Sequence, residues 1–416
     1  MTGVGYSEGE LACDGVPLSA VARAHRTPVH IYSAAVLGER FRAFDAPFAG
    51  VPHRIHYALK ANSTLAVVEC VRALGASADA NSGGEIAVAR RAGFAPRDIV
   101  FTGVGKTRAE LDLAVRLGVG AINVESEGEL VRLATLAAEA GREARVAVRI
   151  NPDIDADTHP HISTGSRVNK FGVSLDAARG LARDVAVRPG LRLVGLHVHV
   201  GSQVTRAEPL GRAAALVAHL AMELRSAGIG LEHLDLGGGL GISYRADQPA
   251  LSPAEYAAAI LPAVEPTGLR LLLEPGRWIV GPSGVLVTEV VDMKPRPDGG
   301  WFVVVDAGMT DLLRPALYGA WHDIQAVRPR QGTPIRADVV GPVCETADTF
   351  GTDRELPPLE PGDLVAIRDT GAYGAVMASN YNRRPLAAEV LVRDGEARLV
   401  RRRQTVDEML QWDVPW

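Results

Sequence analysis

Short apolar runs alternate with amphipathic stretches from about residue 50 onward. The strand candidates are His53–Leu59, Ser77–Asp79, Ile99–Thr102, Ala121–Val124, Arg145–Ile150, Leu193–His199, Leu231–Leu236 and Leu269–Leu273, eight in all. Between them lie segments with helical spacing. Thr107-Arg108-Ala109-Glu110 has the spacing of a capping box and precedes Leu111, Ala114 and Val115. Ser126 and Glu129 repeat the device before Leu130, Leu133 and Leu136, and residues 209–228 form another helix rich in Ala and Leu. Eight strands alternating with helices predict an α/β fold of the (β/α)8, TIM-like barrel type. A doubly wound open sheet is the rival, but no G-x-G-x-x-G follows the first strand.

After about residue 280 the pattern changes. Gly284–Met293, Trp301–Asp306, Ile335–Val340, Asp363–Ile367 and Ala387–Val392 read as strands separated by turns containing Pro and Gly, and only the last few residues look helical. This predicts a second, all-β domain, sandwich- or barrel-like. Residues 27–280 are expected to form the barrel, with 1–26 and 281–416 in the β-rich domain; Glu10–Cys13 is strand-like. Residues 151–172 read as a long polar loop, of a length that points to function.

The 416 residues, 47% of them hydrophobic, suffice for both domains. The net charge of −5 comes from well-mixed acids and bases, so neither nucleic acid nor an anionic membrane is an expected partner. Cys13, Cys70 and Cys344 are odd in number and widely spaced, which argues against a disulfide framework and for a reducing cytoplasm. No secretory leader is visible at the start, and no apolar run approaches a membrane span.

The chemistry is positional. Barrel enzymes build their sites at the C-terminal ends of the strands. Lys60 ends the first strand, Asp79 the second and His199 the sixth; Arg149 lies near the end of the fifth. Gly237-Gly238-Gly239 follows the seventh, and Glu274-Pro275-Gly276-Arg277 the eighth. A lysine is ordinarily a solvated surface residue, but one at a barrel mouth can form an imine with a carbonyl. Three glycines make a plain turn or an anion cradle, and Arg277 favours a phosphate, with Ser202 adding a hydroxyl. Glu274 is either a structural ion pair or a partner for a protonated ring nitrogen. Together these residues supply what pyridoxal 5'-phosphate needs.

His197 and His199 lie two apart on one strand and so face the same way, which is also a metal signature. The loop Asp153–His161 looks metal-like as well. No set of three or four fixed ligands is evident, so no metal is expected. Cys344 would ordinarily be a small buried hydrophobe; the adjacent Glu345, in a loop, raises the prospect of a functional thiol.

The order and number of these motifs resemble the fold-type III pyridoxal-phosphate-dependent amino acid decarboxylases over nearly the whole chain. The likeness includes Tyr57–Ser63, Asp79 with Ser82–Glu85, Gly103–Lys106, Asn123–Ser126, His159–Gly165, Lys170–Gly172, Gly308-Met309, Arg314–Tyr318 and Ala378–Asn382. Within the family, the pattern is that of members that decarboxylate meso-diaminopimelate to L-lysine, the last step of lysine biosynthesis. The resemblance implies that Lys60 carries the cofactor and His199 stacks on its ring. It implies that Ser202, the glycines 237–239, Arg277 and Tyr373 hold the phosphate, and that Glu274 meets the ring nitrogen. Arg277, Arg314, Tyr318, Tyr373 and Glu345 would bind substrate, and Cys344 would return a proton after carbon dioxide leaves. It further implies a homodimer, with Cys344 and Glu345 reaching across to the partner's site. Thr346-Ala347-Asp348 and Thr310 depart from the family's usual residues close to the substrate.

Rival readings remain at this point. An alanine-racemase-type isomerase shares the barrel, lysine and cofactor, but has less use for Cys344-Glu345 and Arg314–Tyr318. A decarboxylase paralogue acting on another amino acid would not need Glu345. A decayed binding protein would not keep Lys60, His199, Glu274, Arg277 and Cys344 together.

Overall fold

Each of the eight apolar runs folds as a strand, and the strands close on one another in chain order as a parallel barrel. This computed structural model describes residues 3–154 and 169–416. The chain divides into two units: residues 41–242 with 249–278, and residues 1–40 with 243–248 and 279–416.

The barrel strands are His53–Ala58, Ser77–Ala80, Ile99–Phe101, Ala121–Val124, Ala144–Ile150, Leu191–Val198, His233–Asp235 and Arg270–Leu273. Val100, Ala121, Ala147, Val194 and Leu272 form one buried cluster. They come from five different strands, and such residues meet only inside a closed barrel. The sixth strand shifts register between Leu193 and Gly195. Beyond the shift, Gly195 faces His233 and His197 faces Asp235 on the neighbouring strand.

The helices begin where their caps direct. Thr107 and Glu110 form the reciprocal capping box. Ser126 caps its helix by accepting from Glu129 N–H, but the Glu129 carboxylate does not return to Ser126. It takes the backbone N–H of Glu125 at 3.0 Å and the Lys106 ammonium at 2.6 Å instead. A buried cation thus outcompetes the cap for that side chain. No helix among the described residues is long and apolar enough to cross a membrane.

The second unit is β-rich. Its long strand Gly284–Pro295 pairs with Val29–Ser33, Trp301–Val305 and Leu364–Ile367. Alternate residues of that strand feed different cores. Leu286 and Val290 join Val303, Val339 and Phe350, whereas Val285 and Val287 join Val29, Ile31 and Val390. The sheet is therefore covered on both faces, as its period of two requires. Residues 27–40, grouped with the barrel on pattern, fall in this unit: Val29–Ser33 is a fully buried strand between Gly284–Pro295 and Ala388–Arg393. Residues 243–248 also belong to it. Strand Glu10–Cys13 pairs with Val4–Ser7 and Val16–Pro17 in a separate three-stranded sheet. Most of the expected loop 151–172, including His159 and His161, lies outside the described residues.

Candidate active site

The first barrel strand runs directly into a one-turn helix, Leu59–Ala61, and that turn carries Lys60 past the strand end. Its partner is set by register. Ala58 pairs with Asp79 on the second strand, and the Lys60 ammonium lies 3.7 Å from the Asp79 carboxylate. Asp79 is fully buried, while the Lys60 side chain is 36% exposed, so the amine remains reachable. Burial, then the charge of Glu274, pushes the Asp79 carboxyl up to about 6 against the pull of Lys60.

The sixth and seventh strands bring up the next groups. Gly237 N–H donates to Asp235 Oδ1 at 2.9 Å and Gly238 N–H to His199 Nδ1 at 3.2 Å. With Nδ1 accepting, the proton of a neutral His199 sits on Nε2. Burial, then the charge of Lys60, holds the His199 pKa well below the ordinary imidazole range, so the ring is neutral. A neutral, fixed ring at the barrel mouth is suited to stacking.

The three glycines are required by their surroundings. An added Cβ would lie 2.7 Å from His199 Nδ1 at Gly237, 2.1 Å from the Glu274 carbonyl oxygen at Gly238, and 2.5 Å from that of Gly201 at Gly239. Gly237 and Gly239 also have φ of +65° and +106°. A loop that brings backbone this close presents N–H groups with no side chains in the way, as an anion cradle needs. Arg277 opens a short helix after the eighth strand and donates from Nη2 to Ser202 Oγ at 3.0 Å. Ser202 and Arg277 are thus brought together from the ends of different strands, while Tyr373 lies in the β-rich unit.

Glu274 is the centre of the buried polar set. Its Oε2 is 3.3 Å from His197 Nε2, and its buried Oε1 has no hydrogen-bond partner among the described residues. One ligand atom each of His197, Asp235 and Glu274 lie within 4.8 Å of one another. The two carboxyl groups titrate apart. Burial, then the charge of Glu274, pushes Asp235 well above the carboxylate range. Burial opposes ionisation of Glu274 as well, but His197 and Lys60 outweigh it and bring its pKa below the usual value. Glu274 is therefore the ionised member and Asp235 carries the proton.

His197 and His199 point into the same barrel, as their spacing requires, but serve different neighbours. The gathering of His197 with two carboxylates was not evident from the sequence. An anionic carboxylate with one open oxygen suits a ring N–H. These residues fit pyridoxal phosphate: Lys60 for its carbonyl, Glu274 for its ring nitrogen, and the glycine loop with Ser202 and Arg277 for its phosphate.

Two further buried ion pairs lie in the barrel unit. Lys106 donates to Glu129 and to the carbonyls of Gly103 and Asn123, all within 2.7 Å. Arg149 Nη1 lies 2.7 Å from Glu125, whose other oxygen accepts Gly172 N–H at 3.0 Å. Asp235 went unread in the sequence, although an acid two residues before Gly237 on an inward-facing strand was a signal.

The remaining candidates lie in the β-rich unit. Arg314 begins the helix Arg314–Tyr318 and is buried. His322 Nδ1 is 2.7 Å from the carbonyl of Arg368, so its Nε2 accepts from Arg314 Nη1 at 2.7 Å. The guanidinium also lies 4.5 Å from the ring of Tyr244. This fixes the direction in which Arg314 offers its remaining donors. Tyr318 is half-buried. Tyr373 has φ of +57°, an uncommon conformation for a bulky residue and one that clusters at functional sites. Cys344 is a free, exposed thiol, and Glu345 is exposed beside it. Asp348 holds that loop by accepting from Val343 N–H at 2.7 Å and Met309 N–H at 2.5 Å.

Residues 34–281 match the family described as pyridoxal-dependent decarboxylase, pyridoxal binding domain. The chain is 47% identical to the diaminopimelate decarboxylase of Pseudomonas aeruginosa over 97% of each chain. Among solved structures, it resembles diaminopimelate decarboxylase from Helicobacter pylori complexed with L-lysine, with a TM-score of 0.91 and 42% identity over 95% of this chain and 98% of that one. A lysine/ornithine decarboxylase from Vibrio vulnificus complexed with putrescine has a TM-score of 0.79 and 25% identity, over 90% of this chain and 97% of that one.

Proposed function

The chain belongs to the diaminopimelate decarboxylase family of pyridoxal-dependent enzymes, and we propose that it converts meso-diaminopimelate to L-lysine and carbon dioxide with the residues described above. The observation that carries the assignment of roles is Glu274. It is buried, ionised and left with one open oxygen, on the same barrel as Lys60 and the glycine loop. Bound there, pyridoxal phosphate supplies an electron sink for the carbanion left when carbon dioxide departs.

The chain's own groups do the rest. Lys60 would hold the cofactor through its amine, which is reachable at the barrel mouth. Glu274 keeps a ring proton in place, and the proton on Asp235 lets Glu274 remain anionic beside a second carboxyl. His199 packs on the ring as a neutral imidazole. The glycine loop, Ser202, Arg277 and Tyr373 hold the phosphate.

Diaminopimelate carries an amino acid group at both ends, so the end that does not react must be gripped. Arg314 with Arg277 suits its carboxylate and Glu345 suits its ammonium, with Tyr318 and Tyr373 as further donors. Cys344 is assigned the return of the proton to carbon. Exposure of Cys344 and Glu345 on the single chain supports their use by a partner subunit, in a homodimer with shared sites. Three free cysteines fit a cytoplasmic location.

The test is release of lysine and carbon dioxide from meso-diaminopimelate, with ornithine and arginine as comparison substrates. Release from diaminopimelate alone is expected. Equal turnover of ornithine would remove Arg314 and Glu345 from the specificity role. Racemisation without carbon dioxide would move the chain to isomerase chemistry.

A further inference from the structure

Arg314, assigned above to the distal carboxylate of the substrate, is seated by a residue that no motif of the sequence singled out. The helix Arg314–Tyr318 ends at Gly319, whose φ of +59° turns the chain back. Gly319 N–H donates to the Pro315 carbonyl at 3.0 Å and Ala320 N–H to that of Arg314 at 3.4 Å. The returning chain is then fixed by strand register. Ile324 pairs with Ile367, and Arg368 N–H donates to the Asp323 carbonyl at 2.9 Å. Between the turn and the strand stands His322, fully buried beside the buried Arg314.

Its neighbours dictate the role of each ring nitrogen. Nδ1 faces the Arg368 carbonyl oxygen, which only accepts, so Nδ1 carries the proton. Nε2 faces Arg314 Nη1, which only donates, so Nε2 offers its lone pair. The imidazole is therefore neutral in this arrangement. Tyr244 completes the seat. Its ring meets that of His322 edge-on, with centroids 5.2 Å apart, and takes the Arg314 guanidinium on its face. The His322 carbonyl accepts from Arg354 Nη2 at 3.1 Å, which anchors the backbone that carries the ring.

The chemistry of the partner matters. A carboxylate orients a guanidinium firmly but also cancels its charge. A neutral imidazole orients it and leaves the positive charge for the ligand. We infer that His322 is a positioning residue for substrate selection: it aims Arg314 at a distal carboxylate without neutralising it, and so favours an amino acid end over a bare amine. The inference rests on the assignment of Arg314 to that carboxylate.

The test compares L-lysine with cadaverine, which differ by that carboxylate alone. Dissociation constants are measured by calorimetry on cofactor-loaded protein. His322→Phe keeps a ring against Tyr244 but offers no lone pair. It should weaken L-lysine about tenfold and change cadaverine by less than about twofold. The KM for meso-diaminopimelate should rise by a similar factor, with kcat within about threefold. His322→Gln keeps a neutral acceptor and should restore most of the L-lysine affinity. His322→Glu keeps an acceptor but cancels the charge, and should weaken L-lysine as His322→Phe does. The Gln and Glu variants carry the test by themselves if the Phe variant does not fold. Arg314→Ala separates the two claims. If it leaves the ratio of L-lysine to cadaverine affinity unchanged, the assignment of Arg314 fails. If it collapses that ratio while His322→Phe and His322→Glu preserve it, Arg314 keeps its role and the inference about His322 is overturned. Equal weakening of both ligands in the His322 variants overturns it as well, since that is the mark of a merely structural residue.

Discussion

Asp235 and Glu274 stand on neighbouring regions of the barrel wall and present two buried carboxyl groups to one imidazole, that of His197. Two carboxylates this close in a dry interior do not both ionise. The proton resides on Asp235, which also accepts Gly237 N–H, so one side chain links the glycine loop to the acid proposed to meet the ring nitrogen.

This arrangement separates two similar substitutions. Glu274→Gln removes the anion and should lower kcat by about a hundredfold or more, with the fold intact. Asp235→Asn leaves Glu274 as the one acid of the pair and should retain cofactor binding within a few-fold. Equal losses in steady-state kinetics and cofactor titration would show that the two acids are not distinguished by charge.

Asp79 sets a pH dependence in the cofactor-free protein. Its folded pKa of about 6 lies above the ordinary carboxylate value of 3.8. The native state therefore binds more protons between these values, and this contribution to stability is present below about pH 4 and lost as pH rises through 6. Asp79→Asn has no such loss. Relative to wild type, the variant should gain a few kcal/mol between pH 4 and pH 7, on the order of 1.4 kcal/mol per pKa unit. A stability difference that is flat with pH, measured by urea unfolding, would contradict the assignment.

Gly238→Ala places a Cβ 2.1 Å from the backbone oxygen of Glu274, which has no freedom to move aside. Loss of about 1–3 kcal/mol of stability is expected from overpacking. Cofactor affinity should fall with it, because the carbonyl is that of Glu274, the residue proposed to meet the cofactor ring. Titration with pyridoxal phosphate checks the second effect, and wild-type affinity would show that the loop relaxes freely.

Shared sites can be tested by mixing. Lys60→Ala and Cys344→Ala proteins should each be severely impaired. Random reassociation of subunits should restore about one quarter of wild-type activity, because half the dimers then hold one intact site. No recovery after verified subunit exchange would place Cys344 and Lys60 in the same chain's site.

Much of the fold was legible because barrel strands are short apolar runs with a period of two, and all eight were marked that way. The barrel rim was legible for the same reason, since Lys60, Asp79, Glu274 and the glycines follow strand ends directly. Six strands escaped notice; Val4–Ser7, Val16–Pro17 and Ile324–Ala326 are only two to four residues long, and the other three were missed for opposite reasons. Val29–Ser33 lies in the middle of its sheet, far in sequence from its partners. Thr349–Leu356 and Glu396–Arg401 are sheet edges rich in charge, where alternation is weak. Asp235 was missed because its role depends on a carboxylate that arrives only when the seventh and eighth strands pair. The use of Glu129 by Lys106 rather than by its cap likewise needed the third dimension.

The most direct measurement is peptide mapping after borohydride reduction of the cofactor-loaded protein. The chain has only four lysines, Lys60, Lys106, Lys170 and Lys294. Cofactor mass on the peptide containing Lys60, and its disappearance in Lys60→Ala, is the expected result. Cofactor mass on Lys106, Lys170 or Lys294, or on none of the four, would contradict the site.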